Sequence, residues 1–276
     1  MKITEKIKNI LHISLWVLIA ASVLTLMGFA VSESKKIPCK GIKVSIADEN
    51  EKGFIDRSDI TELIKAKGTK IIGHPVRDIN INVLEKIINA NPYVLHAEVY
   101  STIDGWLHTD IQQRTPIVRI INNKDESFYI DQEGKYMPLN EKYTEPVIVA
   151  NGFIFDTYAQ KQVRDSASYN FEKTPGQKLR TIDQVYYLSK YISGDTLWDA
   201  MFEQVYINAE QEIELIPRLG NQVILLGDIS QLKEKLDKLK VFYQRGLNAT
   251  GWEQYDLINI KYKGQVICRK RNQLPS

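Results

Sequence analysis

Apolar residues fill one unbroken stretch near the start of the chain, Ile10 to Val31 (ILHISLWVLIAASVLTLMGFAV), and alternate with polar ones along most of the remaining length. The stretch is 22 residues long and carries no formal charge at neutral pH; its polar members are His12, Ser14, Ser22 and Thr25. At about 1.5 Å per residue such a helix reaches ~33 Å, enough for a hydrocarbon core of about 30 Å. Lys2, Lys6 and Lys8 precede it, and Glu33, Lys35 and Lys36 come after it, so the pattern predicts a transmembrane helix over 10–31. A cleaved signal peptide is the alternative: its apolar core of about 7–15 residues is shorter, although Ala30-Val31-Ser32 offers a small-x-small site. A buried core helix would need a polar outer face, and this stretch has none. Three lysines before the span stand against Lys35, Lys36, Lys40 and Lys43 after it. That balance leaves the orientation open, and a large domain translocates largely regardless of charge.

Beyond a polar linker at 32–40, Ile42-Lys43-Val44-Ser45-Ile46 alternates as a half-buried strand does. Ser58, Ile60, Leu63, Ile64 and Gly68 predict a helix capped by Ser58 and stopped at Gly68. Asn80 to Ala90 predicts a second, with Ile81, Leu84, Ile87 and Ile88 on one face and Asn91-Pro92 ending it. Two strands then meet at Ile103-Asp104-Gly105. A three-residue loop with Gly105 left-handed puts Ala97, Val99, Leu107, Thr109 and Ile111 on one face, and burial selects that register over a two-residue turn. Further on, Phe128–Tyr136, Val205–Ile216 and Leu257–Ile267 read as strand–turn–strand, Pro146–Gly152 and Val223–Gly227 as strands ending in glycine. Ile229 to Gly246 reads as a helix with Leu232, Leu236, Leu239 and Tyr243 on one stripe and Gly246 as its stop. Asp156–Lys178 is polar and turn-rich, without a period.

Strand, helix, helix, strand, strand over 41–116 is the order of a POTRA domain. Asn91-Pro92-Tyr93-Val94, Gln113-Arg114-Thr115-Pro116-Ile117, Phe128-Tyr129-Ile130-Asp131-Gln132-Glu133-Gly134, Pro146–Gly152 and Leu257-Ile258-Asn259-Ile260-Lys261-Tyr262-Lys263-Gly264 succeed one another in the order seen in the FtsQ/DivIB cell-division family, which the chain resembles over residues 10–268. Gln113 stands where that family more often has Glu. The resemblance implies an α+β protein: a cytoplasmic tail at 1–9, the transmembrane helix, the linker, a POTRA domain (β-α-α-β-β) at 41–116, a mostly antiparallel β domain with flanking helices at 117–268, and a tail at 269–276. It implies a single-pass inner-membrane protein of the septum, with its N-terminus in the cytoplasm, its outer domains in the periplasm and no enzymatic turnover.

Charge and chemistry change little in this picture. Thirty-six Lys and Arg against 34 Asp and Glu leave a net +2 with no basic stripe, which argues against nucleic acid as a partner. Hydrophobic residues at 43% and charged ones at 25% exclude a disordered or fibrous chain. His96 and His108 are expected on opposite faces of the hairpin, unable to share a metal, and His74 in a Gly/Pro loop. Ser32-Glu33-Ser34-Lys35 has the S-x-x-K form without its companion motifs. Cys39 and Cys268 are expected as unpaired thiols, with a disulfide as the alternative. No catalytic residue, metal or cofactor is implied. Lys233, Lys235, Lys238 and Lys240, interleaved with Glu234 and Asp237, read as a solvated helix face.

Binding is the activity left to such a chain. The segment Ile258–Val266 is expected at a sheet edge, whose unpaired N–H and C=O groups accept an extended strand. In the FtsQ family this segment docks FtsB of the FtsB–FtsL pair. Carried over by motif, Ile258, Ile260, Lys261, Tyr262, Gly264 and Val266 form the partner-binding site, with Lys261 and Tyr262 making side-chain contacts; Tyr262 as a plain surface aromatic stays open. A strand edge of the POTRA unit is a second candidate surface. A POTRA protein of secretion or outer-membrane assembly, and an anchored cell-wall enzyme, are the rival readings.

Overall fold

The computed structural model describes residues 12, 14–27, 37–47, 53–66, 71–160, 179–247 and 254–271. Gly68, the S-x-x-K at 32–35, most of the polar stretch at 156–178 and both tails as far as residue 11 and from residue 272 lie outside them. Residues 14–27 are helical with every side chain exposed, and among the described residues no helix is long and apolar enough to cross a membrane. The predicted span at 10–31 runs past that helical segment at both ends. The chain divides into two compact units, Met1–Gln113 and Arg114–Ser276.

In the first unit β1 (Gly41–Ile46), α1 (Arg57–Ala66), α2 (Ile81–Asn89), β2 (Val94–Ser101) and β3 (Trp106–Gln113) build a three-stranded sheet of order β1-β3-β2, β1 parallel and β2 antiparallel to β3. Ile60 and Ile64 of α1 and Leu84 and Ile88 of α2 bury against Val94, Ala97, Val99, Leu107 and Ile111. Asp56, rather than Ser58, caps α1: its Oδ1 accepts from Asp59 N–H at 2.9 Å, and Asp59 Oδ2 accepts from Asp56 N–H at 2.9 Å. The reciprocal pair satisfies two N–H groups that the first turn leaves open, and Ser58 already lies inside that turn. Asn80 caps α2 through Val83 N–H at 3.2 Å. The hairpin closes with Thr102 N–H donating to Trp106 O at 2.9 Å and Gly105 at φ +89°, the three-residue loop that burial selects. His96 is opposite Gln112 and His108 opposite Tyr100, so both histidines share the outer face, contrary to expectation. Four positions along a strand, at about 3.4 Å each, still keep them too far apart for one metal.

The second unit is a nine-stranded sheet of order β12-β11-β10-β9-β8-β7-β4-β5-β6. Its strands are β4 (Pro116–Ile121), β5 (Ser127–Asp131), β6 (Tyr136–Pro138), β7 (Ile148–Gly152), β8 (Phe202–Ile207), β9 (Ile213–Pro217), β10 (Val223–Gly227), β11 (Tyr255–Asn259) and β12 (Ile267–Lys270). The sheet is mostly antiparallel, with five antiparallel junctions, but mixed: β4/β7, β7/β8 and β10/β11 are parallel. Two of the parallel junctions arise from crossovers through helices, which hairpins cannot make. One crossover, from β7 to β8, contains α3 (Thr181–Ser193) and α4 (Thr196–Met201); the other, from β10 to β11, contains α5 (Leu232–Val241) followed by a π-helical turn at Phe242–Leu247. Val185, Tyr186, Leu188 and Ile192 of α3, with Leu232, Leu236 and Leu239 of α5 and Tyr243, form one core with the sheet. Each such side chain contributes about 1.5–3 kcal/mol by leaving water.

Two of the sequence motifs meet in this unit without forming a site. Arg114 Nη1 lies 2.6 Å from Asp131 Oδ2, with both side chains buried, while Asp131 Oδ1 accepts from Glu133 N–H at 2.9 Å and Lys135 N–H at 2.8 Å. The pair locks the start of β4 to the β5–β6 turn. A buried ion pair of this kind holds when hydrogen bonds use its remaining lone pairs, as they do here.

Candidate partner-binding site

The six residues singled out from the sequence divide into core and surface. Ile258 in β11 and Ile260 just after it are fully buried and Val266 packs half-buried against the same core, so these three shape the site from beneath. Lys261, Tyr262 and Gly264 are exposed in the turn joining β11 to β12, with Tyr262 at 45%. The segment Ile258–Val266 is not the sheet edge that the sequence suggests. β11 is paired on one side with β10 and on the other with β12, and the edge strand is β12, residues Ile267–Lys270. The turn and the edge are continuous in the chain.

Backbone and side chains fix the turn from several directions. Ile260 N–H donates to Leu225 O at 3.0 Å and Asn259 Oδ1 accepts from Lys261 N–H at 3.0 Å, folding the chain back over its own strand end. Lys238 of α5 sends its ammonium to Ile260 O at 3.0 Å and also to Tyr262 O. Lys261 pairs with Glu212 of the β8–β9 turn, and its ammonium stands 5.7 Å from the centre of the Tyr262 ring. The hydrogen bond to Glu212, then that carboxylate's charge, raises the Lys261 pKa.

Two clefts flank Tyr262. One, of about 300 Å³, is lined by Gln211, Glu212, Gly227, Asp228, Ser230, Lys261 and Tyr262. The other, of about 270 Å³, is lined on its far side by Glu234, Lys235 and Lys238 of α5. The buried Lys235 holds the wall between them, donating to Asp228 O and Oδ1 at 2.8 Å each. Burial works against the ionised Asp228, but hydrogen bonds from Lys235 and Ser230 outweigh it and keep the carboxyl below the usual range. Burial, then the Lys235 charge, lowers the Lys238 pKa, with Glu234 opposing.

Of the α5 lysines, Lys233 and Lys240 stay on the solvated face that their alternation with acids suggests, whereas Lys235 and Lys238 clamp two loops. Helical spacing carried that signal for Lys235, which is three residues after Leu232 and four before Leu239 and so shares the face of the buried stripe, whereas Lys233 stays exposed. Glu212 had no local signal, because only the sheet brings its turn beside Lys261. Chemically, the arrangement offers a fixed aromatic ring, a cation and an adjoining strand edge. Among the described residues no group of three His, Cys, Asp or Glu side chains is placed to hold a metal, and Cys39 and Cys268 are both free thiols.

Comparison with known proteins agrees with the two-unit division. A POTRA-like domain model matches residues 37–112, and the FtsQ/DivIB, C-terminal related model matches residues 115–269, more than half of the chain. No curated protein matches the chain. With a POTRA-like unit leading into a matched β unit whose last strands carry the fixed turn, the chain belongs to the FtsQ/DivIB family, through that family's C-terminal related domain.

Proposed function

We propose that the protein is a non-enzymatic scaffold of bacterial cell division, which recruits FtsB/FtsL-type proteins and later septum proteins by strand addition at β12. In this reading the Ile10–Val31 stretch anchors it in the inner membrane, with residues 1–9 in the cytoplasm and both units in the periplasm at the septum. The observation that carries the proposal is the edge of β12, unpaired among the described residues, beside a turn whose Tyr262 and Lys261 are held by Lys238 and Glu212. Backbone pairing along Ile267–Lys270 supplies affinity, and the ring and cation supply the choice of partner. Gly264 and Val266 shape the approach to the strand, and Ile258 and Ile260 hold it from below.

The test is binding of the full chain, solubilised in detergent, to the FtsB–FtsL-type pair of the same organism, beside Tyr262→Ala and Lys261→Glu copies. The expected result is a fall in affinity of at least tenfold in both variants with unchanged melting. Undiminished binding in both would move the site away from this turn, and failure of the unaltered chain to bind would remove the division scaffold itself.

A further inference from the structure

Ile103, at the tip of the β2–β3 hairpin, is 94% exposed, more than any other large apolar side chain among the described residues. The turn that carries it lies at the end of the first unit where the chain arrives from the apolar stretch. Lys40 N–H donates to Gly105 O at 2.8 Å, and Gly41 is paired with Trp106. Gly41 lets the Trp106 indole lie on the strand, because a Cβ there would stand 2.8 Å from a ring carbon. Lys43 holds its ammonium 4.5 Å from the centre of that ring. One end of the unit thus gathers an apolar tip, an amphipathic indole and the cations Lys40 and Lys43. Asp104, the acid of the turn, is tied to the Thr102 hydroxyl and faces both lysines.

Tether length sets how far this end is from the bilayer. Six residue steps separate Val31, the last residue of the apolar stretch, from Ile37. Fully extended they reach only about 20 Å. Trp beside Lys is the composition of a membrane–water interface, where the indole sits at headgroup depth and the ammonium groups meet anionic lipid.

Resting on the membrane anchoring proposed above, we infer that the β2–β3 turn is a lipid-contact element: Ile103 enters the boundary between headgroups and acyl chains of an anionic bilayer, with Trp106, Lys40 and Lys43 at the headgroups. The element fixes how the first unit stands on the membrane, leaving its strand edges out of the contact.

The full chain in phosphatidylglycerol–phosphatidylethanolamine nanodiscs with brominated acyl chains tests this, since bromine quenches only indoles that reach the chains. Ile103→Trp adds an indole at the tip, and Trp16→Phe removes one from the apolar stretch. The expected result is blue-shifted, quenched emission from position 103 in excess of the unaltered protein, falling several-fold when Lys40→Glu and Lys43→Glu are added. Water-like, unquenched emission from position 103 while Trp16 is quenched overturns the lipid contact and leaves the anchor standing. If Trp16 is unquenched as well, the anchor fails and the contact with it. Equal quenching in phosphatidylcholine discs overturns the requirement for anionic lipid.

Discussion

Two edge strands of this chain receive opposite treatment. In the first unit the free side of β2 is closed by α2. Asn89 Oδ1 accepts from Ala97 N–H at 3.0 Å, Asn89 Nδ2 donates to Ala97 O at 3.2 Å, and Glu85 Oε1 accepts from Val99 N–H at 3.0 Å. An incoming strand would have to displace both side chains, so this POTRA edge is not the ready acceptor that the sequence suggests. In the second unit, among the described residues, no side chain hydrogen-bonds to the outer side of β12. That strand is guarded only by its charges, Arg269 and Lys270, and carries Ile267 at 47% exposure. Edges with unpaired backbone groups invite further pairing, and proteins usually blunt them. The difference teaches that, of these two edges, β12 keeps backbone groups open to pairing among the described residues while α2 protects β2, which favours the proposed strand addition at β12.

The largest effect is expected where neither edge is touched. Asp131→Ala leaves Arg114 buried without its partner and should cost about 3–5 kcal/mol. Denaturant unfolding would measure that loss, while partner affinity below the melt should hold, because β12 is at the opposite end of the sheet order. Affinity falling in parallel would show that the edge is not an independent element.

Opening β2 is the next largest. Glu85→Ala with Asn89→Ala removes the three hydrogen bonds to β2 and should cost about 2–4 kcal/mol. Hydrogen exchange of the Ala97 and Val99 amides should accelerate at least tenfold, and self-association should appear in light scattering. Unchanged exchange at both amides would mean that β2 is not closed by these side chains, and the comparison would lose one half.

Lys238→Met should cost only about 1–2 kcal/mol, since two carbonyls lose a donor that water partly replaces. Partner binding should fall more than stability does, because the turn carrying Tyr262 loses its clamp. Titration calorimetry beside a melt separates the two, and a binding loss no larger than the stability loss would assign Lys238 a merely structural role.

The smallest effect lies in acid. The Asp228 carboxyl has a folded pKa below its unfolded value, so its bond to Lys235 stabilises above the ordinary carboxylate range. That contribution disappears as pH falls through the lowered folded value. Melts between neutral pH and that acid window should drop more steeply for the unaltered chain than for Lys235→Met, and parallel curves would remove the pair from the support of the cleft.

Much of the first unit was readable because its signals are local. The alternation at Ile42–Ile46, the helical spacing of Ile81, Leu84 and Ile88 and the Gly105 loop each act within a few residues. Misreadings arose where a competing side chain stood nearby, as Asp56 did beside Ser58. In the second unit α3 and α4 escaped notice although Ile182, Val185, Tyr186 and Ile192 recur at helical spacing, because the preceding polar stretch at 156–178 suggests a continuing loop. Tyr262 and Lys261 were legible through the motif, but their partners were not: Glu212 and Lys238 are 49 and 23 positions from Lys261.

By itself, the sequence determined the order of elements in the first unit, the register of the β2–β3 hairpin, the family and the turn that carries Tyr262, because periodicity and turn residues act over a few neighbours. Only the tertiary structure decided which strands are edges, which of them is closed, and which lysines clamp rather than face water. Those outcomes depend on crossovers and pairings between distant segments, where backbone hydrogen bonds and burial are settled by the whole sheet and by no local pattern.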